Sequence, residues 1–317
     1  MTTISSYIDG GGRNANSIYI KDKKPILEFL VELLFAICAL IAVLAVALIT
    51  IYIISSGVPI FKVIGARSFL LGAKWDPANG EFGILAMILS SMIVTVGAVV
   101  IGGTIAILTS IFLTELAPPA ISKIITILID LLAGIPSVIF GLVGSVIIVP
   151  FFARVEQMIF INSPTHIFTG GANLLSAILV LAIMILPTMI KVSSTSLRAV
   201  AKEMKSSSLS LGATKIQTIF RISIPCARSG ILASIVLGVG RAIGETMAVI
   251  LVSGNVVNLP LPFNAVRLLT TGIIAEFAYS SGIHRQALHG IALVLFIFIM
   301  AINLLLHIGM GRCVNGE

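Results

Sequence analysis

Residues 198–225 read RAVAKEMKSSSLSLGATKIQTIFRISIP, a polar island with apolar runs on both sides long enough to cross a bilayer. Flanked in this way, the island is a loop held at one membrane face. Its pattern is nonetheless helical. Leu197, Val200, Met204, Ser208 and Leu211 recur at helical spacing, and Ile216, Ile219, Phe220 and Ser223 do so again after Gly212. Gly212 stands between the two patterns, where a glycine can take the left-handed conformation that ends a helix. Pro225 is expected to stop the second helix and return the chain to the membrane. Two short amphipathic helices meeting at a glycine form a compact knob suited to a partner's groove. An interfacial helix lying on lipid headgroups is the alternative reading of the same pattern.

Working outward, the chain has 317 residues, of which 58% are hydrophobic and only 10% charged. Its mean hydropathy is +1.14. That composition belongs to an all-α polytopic membrane protein. The net charge of +7 is then a statement about topology, and a nucleic-acid partner is not expected. Cys38, Cys226 and Cys313 lie too far apart for a disulfide framework or a metal cluster, and His166, His284, His289 and His307 show no ligand spacing. No metal site is expected.

Residues 1–28 read as a polar N-terminal tail and residues 29–317 as the membrane domain. Six spans are expected, near residues 33–61, 82–114, 124–150, 172–190, 228–254 and 288–308. The first is too long for a signal-peptide core and stays as an anchor. The second carries Gly97, Gly102 and Gly103, which allow close helix–helix approach. The third contains LAGIPSVIFG, in which Gly134, Pro136, Gly141 and Gly144 are expected to kink or break the helix. Irregular backbone at membrane depth is tolerated only against protein or water, so Gly134, Pro136 and Ser137 become candidates for lining a pathway. An ordinary packed kink is the competing reading.

Six spans place both termini on one side. Thirteen of the 20 Lys and Arg fall in the tails and in the loops of that same side, and six fall in the opposite loops. The positive-inside rule makes the termini and the island cytoplasmic. The remaining cation is Arg241, which lies mid-span in GVGRAIGETMAV with Glu245 four residues on. In a continuous helix those two share a face. A charge at a helix centre costs about 2.5–3.5 kcal/mol on insertion scales, so the pair is either a packing device or part of a pathway. As a pathway residue, Arg241 supplies positive charge to a crossing anion, and Glu245 holds it when the path is empty.

The chain lacks a G-x-x-x-x-G-K-[ST] phosphate loop and any soluble segment long enough for a catalytic domain. It is therefore expected to be no enzyme: either a membrane subunit driven by a separate ATPase, or a self-contained carrier. A carrier usually shows paired internal repeats, which are not evident here, and does not need the knob.

The island resembles the coupling loop of ABC importer permeases, where a Glu-Ala-Ala opening precedes a glycine and an Ile-x-Leu-Pro. Gly212, Ile222 and Pro225 match that spacing, with Ile224 at the leucine position; Ser206, Ser207 and Ser208 depart from the acidic opening. LAGIPSVIFG, MILPTMI, LGATKIQTIFRISIPCARSGI and GVGRAIGETMAVILVSGN together resemble the phosphate-specific importers, and the GETMAV ending their C-type permease. The resemblance covers residues 82–310. It implies the type I ABC importer permease fold and phosphate import by alternating access. A sulfate or molybdate permease is the near alternative and a secondary anion carrier the distant one. The implied partners are an A-type sister permease, a homodimeric ATP-binding subunit, an extracytoplasmic phosphate-binding protein and membrane lipid. ATP and Mg would sit on the partner ATPase, with no cofactor in this chain. The coupling residues are then Lys202, Met204, Ser206, Ser207, Leu211, Gly212, Ala213 and Pro225.

Overall fold

The computed structural model describes residues 26–163 and 166–314. The chain falls into two units, Met1–Ile51 and Tyr52–Glu317. Most of the expected N-terminal tail lies outside the described residues. Helices dominate: α1 (Ile26–Ile60), α2 (Ala66–Leu71), α3 (Leu85–Ile111), α4 (Pro119–Ala133), α5 (Ser137–Val143), α6 (Val149–Phe160) and α7 (Leu174–Arg198). They are followed by α8 (Lys202–Ser210), α9 (Lys215–Thr218), α10 (Ile224–Cys226), α11 (Arg228–Gly244), α12 (Met247–Ile250), α13 (Leu269–Phe277) and α14 (Gly282–Val314). A two-stranded antiparallel hairpin, β1 (Trp75–Asp76) and β2 (Glu81–Phe82), sits between α2 and α3.

Among the described residues, five helical segments are long and apolar enough to cross a membrane: Glu28–Leu71, Leu85–Leu116, Ser137–Phe160, Leu174–Arg198 and Gly282–Leu305. A sixth forms if Lys215–Cys226 and Arg228–Gly244, bent by 68°, act as one broken span. Several expected boundaries need correction. The first segment runs on to Leu71, into the expected loop, and the last begins at Gly282 rather than near residue 288. The third segment is displaced toward the C-terminus, because Gly134–Ile135–Pro136 separates α4 from the helix that meets the length test. Its helix also runs on to Phe160, into what was expected to be an external loop. The fourth extends to Arg198, so Lys191 is a helix residue rather than a loop residue. Its start is set by Asn173, whose side chain accepts the Ser176 N–H at 3.1 Å, a standard N-terminal cap.

The principal core is shared by α3, α7, α11 and α12. Val94, Ala98 and Ala106 of α3 pack with Leu181, Met184, Ile185 and Met189 of α7, all of them buried. Small residues make the approach possible. A Cβ built on Gly102 would lie 2.7 Å from the Ala182 carbonyl oxygen, a backbone atom that cannot swing aside. Gly102→Val should therefore destabilise the α3–α7 pair by about 1–3 kcal/mol. A lowered thermal midpoint of the purified protein checks this, and an unchanged midpoint would contradict the packing. The same substitution at Gly240, where nothing lies within 4 Å, should be much milder.

A second cluster, including Phe69, Phe82, Ile84, Leu288 and Ile291, joins the hairpin region to α14. Polar contacts tie the same region together. Glu276 of α13 accepts the Trp75 indole N–H at 2.9 Å, meets His284 Nε2 at 2.8 Å and pairs with Arg267. Burial raises this carboxyl's pKa, but the hydrogen bonds from Trp75 and His284 and the charge of Arg267 outweigh it, so the value falls below its ordinary 4.5. A depressed carboxylate pKa contributes stability that is fully present above the unfolded value. That stability is lost as pH falls through the folded value. Local protection of residues 267–284 in hydrogen exchange should consequently hold between pH 5 and 7 (a range of about two units above the ordinary pKa) and drop under stronger acid. Glu276→Gln should remove the pH dependence.

Candidate functional site

Arg241 lies three residues before the end of α11, on the face that carries Leu237, Gly240 and Gly244. That face is open. A Cβ placed on Gly240 or Gly244 meets nothing within 4 Å, and Leu237 is exposed. The guanidinium donates to Thr188 Oγ1 of α7 at 2.8 Å, its one hydrogen bond among the described residues. Thr188 directly follows Pro187, within the buried middle of α7.

The expected Arg241–Glu245 pair does not form. The i, i+4 geometry requires a continuous helix, and α11 stops at Gly244 with Glu245 in extended conformation (φ −75°, ψ 131°). Its carboxylate turns the other way and accepts the Ala248 N–H at 3.0 Å, capping the short helix α12. Its carbonyl accepts from Thr270 Oγ1 at 3.1 Å. The expected continuous span over residues 228–254 is therefore broken at residues 245–246. Arg241 is left on the open Gly240–Gly244 face with only a hydroxyl partner among the described residues, which leaves its charge less neutralised than the paired arrangement would.

At the first break, Gly134 N–H donates to Leu131 O at 3.1 Å and Ile135 N–H to Leu132 O at 3.2 Å. Those amides are consumed in closing α4, and Pro136 has none to offer. The backbone of residues 134–136 therefore has no free amide to turn toward an anion or water, whereas the Ser137 N–H opens α5 without a hydrogen-bond partner among the described residues. Gly134 and Pro136 are themselves exposed, and Ser137 is half-buried as the first residue of α5. The segments after the two breaks do meet: a Cβ on Gly141 of α5 would stand 2.8 Å from Ala248 Cα of α12. Gly134 and Pro136 mark the first interruption in the sequence, but spacing shows neither the one at residues 245–246 nor that α5 and α12 pack on each other.

The polar island folds into two parts, as its pattern indicates, with a different start. α7 ends at Arg198 and α8 begins at Lys202, so Leu197 and Val200 are buried on the membrane bundle while Met204 and Leu211 are exposed. Gly212 has φ +87°, the left-handed region. Thr214 then opens α9 with a capping box: its hydroxyl accepts the Gln217 N–H at 3.2 Å, and its own N–H donates to Gln217 Oε1 at 2.9 Å. Pro225 does not stop this helix. The helical run continues from α9 through a π-turn at Phe220 and its neighbours (219–223) into α10, and the widened backbone just before Pro225 accommodates a residue that lacks an N–H. The direction changes at Ala227 instead.

Lys202, Ser206 and Ser207 are exposed on α8, and Ala213 is half-buried after the turn. Ser206 Oγ donates to Glu203 O at 3.0 Å, and Ser208 Oγ meets Thr218 Oγ1 at 3.0 Å. The serines therefore knit the knob internally where the related pattern has an acid. Met204, Ser207, Leu211, Ala213, Gln217 and Ile222 line an open groove of about 550 Å³. The knob is held to the bundle by a contact that spacing could not reveal. Lys205 Nζ lies 2.6 Å from Glu115 Oε1 at the end of the second span and 3.4 Å from Leu197 O.

A helical bundle with a broken, cation-bearing span and a capped knob beside it defines a multi-pass membrane permease. The chain belongs to the family of binding-protein-dependent transport system inner membrane components, whose model matches residues 102–313. It is 36% identical to the probable ABC transporter permease protein YqgH of Bacillus subtilis, over 84% of this chain and 87% of that protein. It is 34% identical to the phosphate transport system permease protein PstC of Haemophilus influenzae, over 87% and 92% respectively. In fold it is similar to a chain of the bacterial ABC transporter that imports the acidic polysaccharide alginate, with a TM-score of 0.62, 17% identity, and coverage of 90% and 98%. The family places it in the inner membrane as a transport subunit that works with other components of an ABC importer.

Proposed function

We propose that this chain is the C-type permease subunit of an ATP-driven phosphate importer. The observation that carries this reading is Arg241, a cation in a membrane helix with no carboxylate partner among the described residues, beside the open Gly240–Gly244 face. An oxyanion crossing about 30 Å of hydrocarbon needs compensating charge on its route, and Arg241 supplies it. Relatives named as phosphate transport permeases support phosphate as the anion. The chain forms the path with an A-type sister permease, receives phosphate from an extracytoplasmic binding protein, and docks a homodimeric ATPase that carries ATP and Mg. It does not itself hydrolyse ATP.

Reconstitution with those partners tests the reading. ATP-dependent uptake of labelled phosphate should resist excess sulfate and molybdate. Uptake that sulfate or molybdate abolishes would assign the chain to another oxyanion instead, and uptake by this chain alone would make it a carrier.

The knob is the ATPase contact in this reading, with Met204 and Leu211 as its apolar anchors and Lys202, Ser206, Ser207 and Ala213 around them. Gly212→Val tests it. No neighbour obstructs a side chain there, so the whole cost is the left-handed backbone, about 1–2 kcal/mol. Co-purification of the ATPase should weaken about tenfold. Undiminished co-purification would favour a knob that lies on lipid.

A further inference from the structure

The face of α7 that carries Thr188 continues toward its C-terminus through Lys191, Thr195 and Arg198, at i, i+3, i+7 and i+10. Lys191 lies roughly 4.5 Å further along the helix axis than Thr188, and Arg198 roughly 15 Å. This strip faces α4 across a cleft of about 170 Å³ lined by Thr126, Asp130, Lys191, Ser194, Thr195 and Arg198. Three observations distinguish it from a set of helix-end cations. Lys191 Nζ is held at 2.8 Å by Asp130 Oδ1, from another helix. Arg198 has no hydrogen-bond or ion-pair partner among the described residues. Ser194, only 9% exposed, borders the cleft, and its hydroxyl, covered from solvent, has no hydrogen-bond partner among the described residues. A buried hydroxyl without a partner costs free energy, which turning Ser194 toward a ligand in the cleft would recover.

We propose that this cleft is an inner oxyanion station, the position a phosphate-class anion occupies after it leaves Arg241, with the Asp130–Lys191 pair as its latch. The proposal rests on the reading of the chain as an oxyanion permease. In the empty station Asp130 neutralises Lys191. Both side chains are largely solvated, at 63% and 48% exposure, and so exposed a pair is held weakly. An arriving anion displaces Asp130 from the ammonium, draws the Ser194 hydroxyl round by a rotamer change to donate to it, and gains the guanidinium of Arg198. Departure restores the pair. The latch keeps the station from retaining the anion, since Asp130 competes for Lys191 at every release.

The same chemistry would bind the phosphate of an anionic lipid, because basic clefts between membrane helices also take headgroups. The experiment separates the two. The whole transporter, with Thr195→Cys in a background lacking Cys38, Cys226 and Cys313, is placed in nanodiscs of phosphatidylcholine. Labelling rates are measured with an anionic and a cationic methanethiosulfonate reagent of similar size. The anionic reagent should react about tenfold faster, Lys191→Gln should remove that preference, Lys191→Arg should restore it, and Asp130→Asn should enlarge it severalfold. Millimolar inorganic phosphate should slow labelling by both reagents, and Ser194→Ala should weaken that protection.

Equal rates for the two reagents, or a preference indifferent to Lys191, would overturn the station. So would phosphate that gives no protection. Protection that appears only when phosphatidylglycerol is added would make the cleft a lipid site and overturn it as well. Reagent preference does not depend on turnover. Wild-type transporter that takes up no phosphate would therefore refute the transport reading, while the labelling still decides whether the cleft selects anions.

Discussion

Arg241→Gln should abolish phosphate uptake while leaving membrane levels and ATPase co-purification normal. The guanidinium's one described partner is the Thr188 hydroxyl, and glutamine keeps an amide donor that can serve it at shorter reach. What glutamine removes is the charge. A lone charge at membrane depth is worth about 3 kcal/mol on insertion scales, and its interaction with a crossing anion is of similar size. That corresponds to about a hundredfold or more in rate. Folding should not suffer, because no carboxylate among the described residues depends on Arg241. Wild-type uptake by the variant would remove the residue from the path. Failure to accumulate in the membrane would make it structural. Glu245→Gln should behave differently. Its role is to accept the Ala248 N–H, which an amide oxygen also does, so uptake should fall only modestly.

The second large effect is expected at Glu115. Its carboxylate is one-tenth exposed and the Lys205 ammonium about one-fifth, so the pair linking knob to bundle is partly desolvated. Removing one member of such a pair strands the other. Fully buried cases cost about 3–5 kcal/mol, and the residual exposure here should reduce that to about 2–3. Glu115→Ala leaves Lys205 with the distant Leu197 carbonyl alone. The knob should then loosen from the second span, seen as faster hydrogen exchange in α8. Transport should uncouple, with ATP hydrolysis persisting while uptake falls. A double-mutant cycle with Lys205→Met isolates the pair. If Glu115→Ala costs the same with Lys205 present or absent, the contact does not couple the knob to the bundle.

The helical membrane architecture and the position of the knob were legible in the sequence, because both follow from local rules. Apolar runs such as the one ending at Leu116 declare a span by length alone, and Gly212 marks the turn because few other residues accept its backbone conformation. The family resemblance was legible for the same reason, since its motifs are contiguous. Which charges meet was decided only by tertiary structure. Arg241 and Glu245 are four residues apart, yet the break at Gly244 sends them to different partners. Asp130 and Lys191 are distant in sequence, and an acid in the third span does not by itself name its partner. Glu115 and Lys205 are separated by several helices. A helix interruption depends on a contest between local bonding and capping, and an ion pair depends on which faces pack together. Gly134 and Pro136 announce the first break locally, but the break at residues 245–246 and the ion pairs are settled by the assembled bundle, through close approaches such as Gly102 on Ala182 and Gly141 on Ala248.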